Sequence, residues 1–438
     1  MEKKFRSITP LLLLIALNLT GMCIVMYRSG FGPDLAILCI GMCVLSIAVY
    51  LLINLCALGD NYLYLIVAML STVGIIILAR IDLANVDTKY GINNMKMFLI
   101  GVVMFFVTIL AYRFMYRKLK KFGFLYFGVS VGLYAVTLII AKITGSTTNG
   151  ASNWLKIGGF SLQPSEFIKI LFILTVAAIL TYSPSEDTAA PKRYKSTMGV
   201  SLAKKTLVSR RVMAITVVTY VNALFLFMQR EWGTAVLLFA IYLAYLFVYD
   251  KNRVFFLINT ALIVVVVLVG MNYIDHIQER VIAWQNPYSD KSGIGYQVIQ
   301  ALVAIGEGGM GGVGIGNGSP YYIPVVESDS IFAAICEELG LAGGVGVLML
   351  YFVLVYRGFK IALSTTNQFN KAVSLGISVM LGIQTFIIVG GVTKLIPLTG
   401  ITLPFISHGG SSMISTFIAV GILQAISSAK GDISDEIE

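Results

Sequence analysis

Arg280, Asp290, Glu327 and Asp329 fall in one polar, glycine-rich stretch between two long apolar runs. A polar stretch of this length in such a chain is where chemistry or binding is to be sought, and a carboxylate in it can serve as a general base. Asp329 is the best placed of the acids, because the apolar run Ile331, Phe332, Ala333, Ala334 follows it almost at once. A carboxyl at such an edge loses hydration, which raises its pKa toward a value useful in a general base. The competing reading is a helix cap, a role that Ser328, Asp329 and Ser330 all suit.

The same stretch holds Gly306, Gly308, Gly309, Gly311, Gly312, Gly314, Gly316 and Gly318. Their spacing looks like a phosphate cradle, but no Gly-Lys-Ser/Thr follows and no strand precedes, so a nucleotide-binding P-loop is rejected. Two readings fit the glycines: a flexible loop that exposes backbone to a substrate, and close helix packing.

Three further clusters carry polar chemistry. Pro164, Ser165 and Glu166 open an apolar run, and Lys169 lies one turn beyond Glu166. Proline and an acid suit the first turn of a helix, and residues three apart can pair on one face. Trp154, just upstream, suits a membrane interface. Arg230 and Glu231 sit in a short turn between apolar runs, where they either face water or bind a substrate. Residues 394–412 contain two prolines and three glycines, which exclude a regular helix. Irregular backbone at membrane depth must be buried in protein or line a wet cavity. On the second alternative Ser407, His408, Ser411 and Ser412 face that cavity.

What positions these residues is a membrane-embedded scaffold. Of 438 residues 57% are hydrophobic and only 12% charged, too little charge to cover a soluble domain of this length. The apolar runs lack the alternation of strands and have the length of membrane-crossing helices. The expected fold is an all-α, polytopic membrane protein of about twelve spans, at 9–27, 33–57, 62–83, 95–112, 122–142, 165–182, 212–228, 233–249, 254–273, 330–355, 371–393 and 411–428. Basic residues gather at the N-terminus and after the fourth, sixth, eighth and tenth spans, so the positive-inside rule makes those segments and both termini cytoplasmic. The loops 81–94, 143–166, 229–233, 274–329 and 394–412 then face outward. The net charge of +10 is accounted for by this bias, and no nucleic-acid partner is expected. Residues 183–203 read as a flexible cytoplasmic loop. The five cysteines read as packing residues, and His276 and His408 are too far apart for a local metal motif.

Several motifs, in this order, resemble the SEDS family of shape, elongation, division and sporulation proteins (the RodA, FtsW and SpoVE type). They are Asn149, Gly150 and Ala151 with Trp154; Gln163, Pro164, Ser165 and Glu166 with Lys169; Gly233 to Ala235; Arg280 with Trp284, Pro287 and Asp290; Gly293, Gly295, Tyr296 and Gln297; Ala304 to Gly306; Asp329 with Ile331 to Ala333; Glu337, Glu338, Leu339 and Gly340; and Leu403 to Phe405 with Gly409 to Ser412. They cover about residues 62–428, ten of the spans. On this reading residues 1–60 add two N-terminal helices to a core of 61–438, whose outer loop 274–330 is catalytic.

The resemblance implies a peptidoglycan glycosyltransferase that polymerises lipid II on the outer face of the bacterial cytoplasmic membrane, beside a class B penicillin-binding transpeptidase. It maps the catalytic base onto Asp329. The other substrate-binding residues expected are Arg280, Glu166, Lys169, Trp154, Lys156, Glu231, Asp290, Gln297, Lys394, His408 and Ser411. A single essential carboxylate suits an inverting displacement. The lipid diphosphate leaving group needs neutralisation by Arg, Lys or a divalent cation, Mg or Mn, whose site the resemblance does not supply. A groove open to membrane lipids is expected for substrate and product.

The chain also departs from the family pattern. Val325 and Glu327 stand where Glu and His are usual, Ser330 where Phe is, Asn153 where Arg is, and His408 where Tyr is. Arg230 and Glu231 replace a Pro-Asp pair, and Ile388 replaces an Asn. These changes keep two alternatives in view: a lipid II flippase or other transporter, and an inactive scaffold for the transpeptidase.

Overall fold

The structure, a computed structural model, describes residues 8–29, 33–83, 88–144, 153–157, 160–181, 197–290 and 292–428. Fourteen helices follow in order among these residues: α1 (Ile8–Ser29), α2 (Pro33–Leu55), α3 (Asn61–Asp82), α4 (Tyr90–Leu119), α5 (Gly123–Thr144), α6 (Pro164–Thr181), α7 (Thr197–Met228), α8 (Trp232–Tyr249), α9 (Arg253–Tyr273), α10 (Asp275–Gln285), α11 (Ile294–Gly308), α12 (Ile331–Ser364), α13 (Gln368–Val392) and α14 (Gly410–Ser428). Twelve of them are long and apolar enough to cross a membrane, in register with the twelve expected runs. The protein is a multi-pass helical membrane protein. One small antiparallel hairpin, β1 (Leu155–Ile157) and β2 (Phe160–Leu162), precedes α6.

Two expectations change. The stretch after the ninth span is not a bare loop: it folds into α10, α11 and short 3-10 turns at Pro287–Ser289 and Pro320–Tyr322. The stretch 183–203 is helical from Thr197 onward, as the start of α7, and its part up to 196 lies outside the described residues, as do Asn149, Gly150 and Ala151.

The chain divides into two compact units, one formed by residues 1–111, 267–361 and 381–438, the other by 112–266 and 362–380. In the first unit α3 and α14 are buried along nearly their whole length. A helix apolar all round has no outward face and belongs inside a bundle. α1 and α2 turn large apolar side chains such as Leu12, Leu13, Ile37 and Ile40 outward, as lipid-facing helices do. In the second unit α6 has the central position and is mostly buried, whereas most of α9 is not.

α12 is broken at Gly340, where φ is +70°. In an unbroken helix the Leu341 and Ala342 N–H groups would donate to the Glu337 and Glu338 carbonyls. Instead they donate to the carbonyls of Gly309 (2.8 Å) and Met310 (3.2 Å), while the Val313 and Gly314 N–H groups donate to the Glu337 and Glu338 carbonyls (3.0 Å each). The glycine-rich segment therefore replaces two helical bonds with four bonds to its own backbone. A Cβ on Gly340 would sit 2.2 Å from the Gly312 nitrogen, so only glycine permits the exchange. Close packing accounts for Gly308 and Gly312, where a Cβ would meet α12 backbone at 2.0 and 2.3 Å, whereas Gly306, Gly309 and Gly311 have open space around them.

Candidate functional site

In the first unit, Asp329 sits just ahead of α12. The helix starts at Ile331 and Ser330 occupies the position before it, with the Ser330 carbonyl accepting from the Ala333 N–H at 2.9 Å. No α12 backbone N–H reaches the Asp329 carboxylate among the described residues; its Oδ1 accepts the Ser328 hydroxyl at 3.0 Å. The acid is not spent on capping. It keeps partial access to solvent while protein packs densely round the carboxyl. Loss of hydration pushes its pKa above the ordinary carboxylate value, and nearby Glu327 adds to the rise. The Ser328 hydrogen bond and the positive charge of Arg280 oppose it.

The backbone around Asp329 is held on every side. His408 N–H donates to the Glu327 carbonyl at 2.7 Å, Ser407 Oγ donates to the Ser328 carbonyl at 2.6 Å, and Gln297 Nε2 donates to Ser330 Oγ at 2.9 Å. Ser407 also accepts from the Leu403 N–H at 2.9 Å. The irregular segment that supplies Ser407 and His408 is buried in protein at Leu403, Phe405 and Ile406, which meets the requirement for non-helical backbone in such a scaffold. Val325, Lys394 and Phe405 all have positive φ (53°, 60° and 69°). Strained non-glycine residues persist only where surrounding structure over-determines them, and they cluster at functional sites.

Arg280 comes from α10. Its Nη1 donates to the Leu398 carbonyl at 2.7 Å, and Trp284 Nε1, one turn on, donates to the Lys394 carbonyl at 3.0 Å. The helix is thus docked along residues 394–398. The guanidinium lies beside Gly400, where a Cβ would stand 3.2 Å from Nη2 and 3.6 Å from Asp329 Oδ2. Burial lowers the Arg280 pKa, and Asp329 and Glu279 raise it in return.

His408 packs edge-on against Tyr90, with ring centroids 5.0 Å apart. Burial lowers its pKa, with Glu327 and Asp82 opposing, which favours the neutral ring. Asp82 itself accepts the N–H groups of Tyr90 and Gly91, each at 2.8 Å, and so caps α4. Asp290 is similarly occupied: its carboxylate accepts from Gly293 (2.8 Å) and Gly295 (3.0 Å), which starts α11 and lowers its pKa. Lys394 lines a cavity of about 260 Å³ with Pro287, Tyr288, Ile299, Leu302 and Val303. Ser411 is buried in the first turn of α14.

The remaining sequence-selected residues lie in the second unit. Lys169 Nζ and Glu166 Oε2 pair at 2.8 Å on α6, both almost fully buried. Gln163 Nε2 donates to Glu231 Oε1 at 2.9 Å. Glu231 is buried, so the water-facing reading of this turn fails for the acid and holds for Arg230. Burial raises its pKa, Glu166 adds to the rise, and hydrogen bonds from Gln163, Ser165 and Asn153 counter it. Arg230 beside it is exposed with φ 61°. Trp154 and Lys156 lie at and within β1, with Lys156 in register with Ser161.

Sequence reasoning missed Arg80 and noted its partner Glu338 only as part of a family motif. Arg80 Nε and Glu338 Oε1 are 3.1 Å apart, with side chains 9% and 0% exposed. The signal was present: a charge inside an apolar run marks a constrained position. No group of three His, Cys, Asp or Glu side chains that could hold a metal gathers among the described residues. A Mg or Mn ion carried mainly by the substrate diphosphate would need only one or two carboxylates from the protein and no such group.

The family model for FtsW, RodA and SpoVE, described as "Cell cycle protein", matches residues 61–431. The chain is 34% identical over 379 residues to peptidoglycan glycosyltransferase RodA of Mycobacterium tuberculosis, covering 84% of this chain and 78% of that protein. It is 31% identical to stage V sporulation protein E of Bacillus subtilis, covering 84% and 96%. Among solved structures, a chain from a study of polymerization and crosslinking by a peptidoglycan synthase complex superposes with a TM-score of 0.65 at 24% identity, over 84% of this chain and 97% of that one. RodA of Thermus thermophilus gives a TM-score of 0.57 at 22% identity, over 85% and 97%. At these identities the two structures speak for the fold alone.

Proposed function

We propose, from the premise that this chain belongs to the FtsW, RodA and SpoVE family of cell cycle proteins, that it polymerises lipid II with Asp329 as general base. Its relative RodA is a peptidoglycan glycosyltransferase, and at this similarity the chain is a glycosyltransferase of peptidoglycan synthesis. One observation carries the finer reading. A desolvated carboxylate, not engaged in capping, shares its surroundings with a guanidinium anchored to the Leu398 carbonyl.

In the reaction a sugar hydroxyl of one chain attacks the anomeric carbon of the other. As the new C–O bond forms, the hydroxyl proton passes to Asp329. The bond from the anomeric carbon to the diphosphate oxygen breaks, and its electron pair leaves with the lipid diphosphate. A raised pKa makes Asp329 a better proton acceptor than an ordinary surface carboxylate. Arg280 supplies positive charge that is already oriented before the reaction, so little reorganisation is needed as negative charge develops. A single base of this kind supports direct displacement with inversion.

The distribution of basic loops supports an outward-facing Asp329 and cytoplasmic termini. The family resemblance supports a class B penicillin-binding protein as partner. The test is incubation of the purified full chain with fluorescent lipid II in detergent, alone and with such a partner. Glycan strands that lysozyme digests are expected. Transbilayer movement of lipid II in liposomes without any polymer would replace this reading with a transporter. No polymer in either sample, with the partner still bound by the chain, would replace it with a scaffold.

A further inference from the structure

The family match begins at residue 61, so α1 and α2 precede it. α1 nevertheless touches the segment that leads to Asp329. Arg28, at the C-terminal end of α1, donates from Nη2 to the side-chain carbonyl of Asn317. Its stem lies along the same segment: a Cβ on Gly316 would stand 3.0 Å from Arg28 Cγ. Asn317 Nδ2 in turn donates to the Val313 carbonyl at 2.9 Å, and Val313 N–H is one of the donors that fill the break in α12.

The residues around Asn317 are gripped from two other helices. From α3, Arg80 Nη2 donates to the carbonyls of Gly318 (2.9 Å) and Gly316 (3.2 Å). From α12, Glu338 accepts the Gly316 N–H at 2.6 Å and Glu337 accepts the Ser319 N–H. Arg80 and Glu338 pair with each other and are buried. Three helix ends thus converge on residues 316–319, and one of them lies outside the family match. Packing of α1 on α3 sets the reach of Arg28. At Gly21 a Cβ would meet Ile76 Cδ1 at 2.4 Å and Cγ1 at 3.2 Å, so a small residue there displaces the Ile76 tip and a bulky one crowds the contact between the two helices.

We propose that α1 is a brace for the catalytic segment and that Arg28 is a positioning residue for Asp329, acting through Asn317. The proposal rests on Asp329 being the base. The Arg28–Asn317 bond is exposed, and a single exposed contact adds little to global stability. Its effect falls on geometry, where a displacement of about 1 Å can cost up to ~100-fold in rate.

The test uses the full chain with Arg28→Ala, Asn317→Ala, the double variant and Arg28→Lys, and measures three things: polymerisation kinetics, thermal melting and amide hydrogen exchange. Each Ala variant is expected to lower kcat about three- to tenfold with KM and melting temperature unchanged, and to speed exchange over 313–319. The double variant should be no worse than either single one, since both remove one contact. Arg28→Lys should recover part of kcat. Gly21→Ile, which crowds the contact of α1 with α3 without touching Arg28, should reproduce the loss. Unchanged exchange over 313–319 overturns the brace. Faster exchange with unchanged kcat overturns the positioning role. A fall in kcat that merely follows a fall in melting temperature also overturns it. The exchange readout does not depend on which residue is the base, so failure of the Asp329 assignment is seen separately, in the Asp329→Asn kinetics.

Discussion

Arg280 and Asp329 meet across Gly400, where a Cβ would lie 3.2 Å from the guanidinium and 3.6 Å from the carboxylate. Gly400 has φ +72°, a conformation that costs an L-residue about 1–2 kcal/mol. A methyl group there adds strain and wedges between the acid and the cation. Gly400→Ala should lower kcat by roughly tenfold or more while the protein still purifies as a folded species. Kinetics beside a melting curve check this, and full activity would show that the approach of the two groups has no catalytic consequence.

Asp329 owes its raised pKa first to desolvation, with opposing contributions from its neighbours. The deprotonated form is the base, so activity is lost as pH falls through that raised value, above the ordinary aspartate range. Ser328→Ala removes a hydrogen bond that lowers the pKa and should move the acidic limb of kcat/KM to higher pH. Glu327→Gln removes a like charge that raises it and should move the limb to lower pH. Shifts in one common direction, or none, would contradict the electrostatic account of this site.

Arg280→Lys keeps the charge but cannot keep both the Leu398 anchor and the planar group beside Gly400. The expected loss is roughly 10- to 100-fold in kcat, with KM changed far less, because the interaction strengthens as the diphosphate departs. A rise in KM alone would make Arg280 a ground-state binding residue instead.

Elsewhere in the same unit, Asp60 caps α3 through the Tyr62 N–H at 2.9 Å and pairs with Arg357 of α12 at 2.6 Å. The arginine also lies over the Tyr62 ring, 4.0 Å from its centroid. Asp60→Ala removes a cap and strands a partly buried cation, at a cost of about 1–3 kcal/mol. Melting temperature should fall while kcat of the folded protein stays the same. Loss of kcat at unchanged stability would link this pair to the active site.

The spans were legible because apolar run length is a one-dimensional property, and all twelve runs correspond to helices. Asp329 was legible too, as a carboxylate directly ahead of an apolar run. The helix α11 was not seen. Its apolar residues Ile294, Val298 and Ala301 recur at helical spacing, but a search for long apolar runs passes over an amphipathic helix. Contacts between distant residues left no local trace. Nothing near Arg280 announces the Leu398 carbonyl, and nothing near Arg230 and Glu231 shows that Gln163 will bury the acid. Arg80 did leave a trace, a lone charge in the run 62–83, and its partner Glu338 stood in a motif already noted for resemblance alone.

The most direct measurement is single-turnover polymerisation of labelled lipid II by Asp329→Asn, a substitution that keeps the shape of the side chain and removes its basicity. Melting and hydrogen exchange over 327–333 should match the unaltered protein, since Asp329 caps no helix. The account predicts a rate lower by at least about 100-fold, in the range a positioned general base contributes. A rate within a few-fold of the unaltered protein would contradict it.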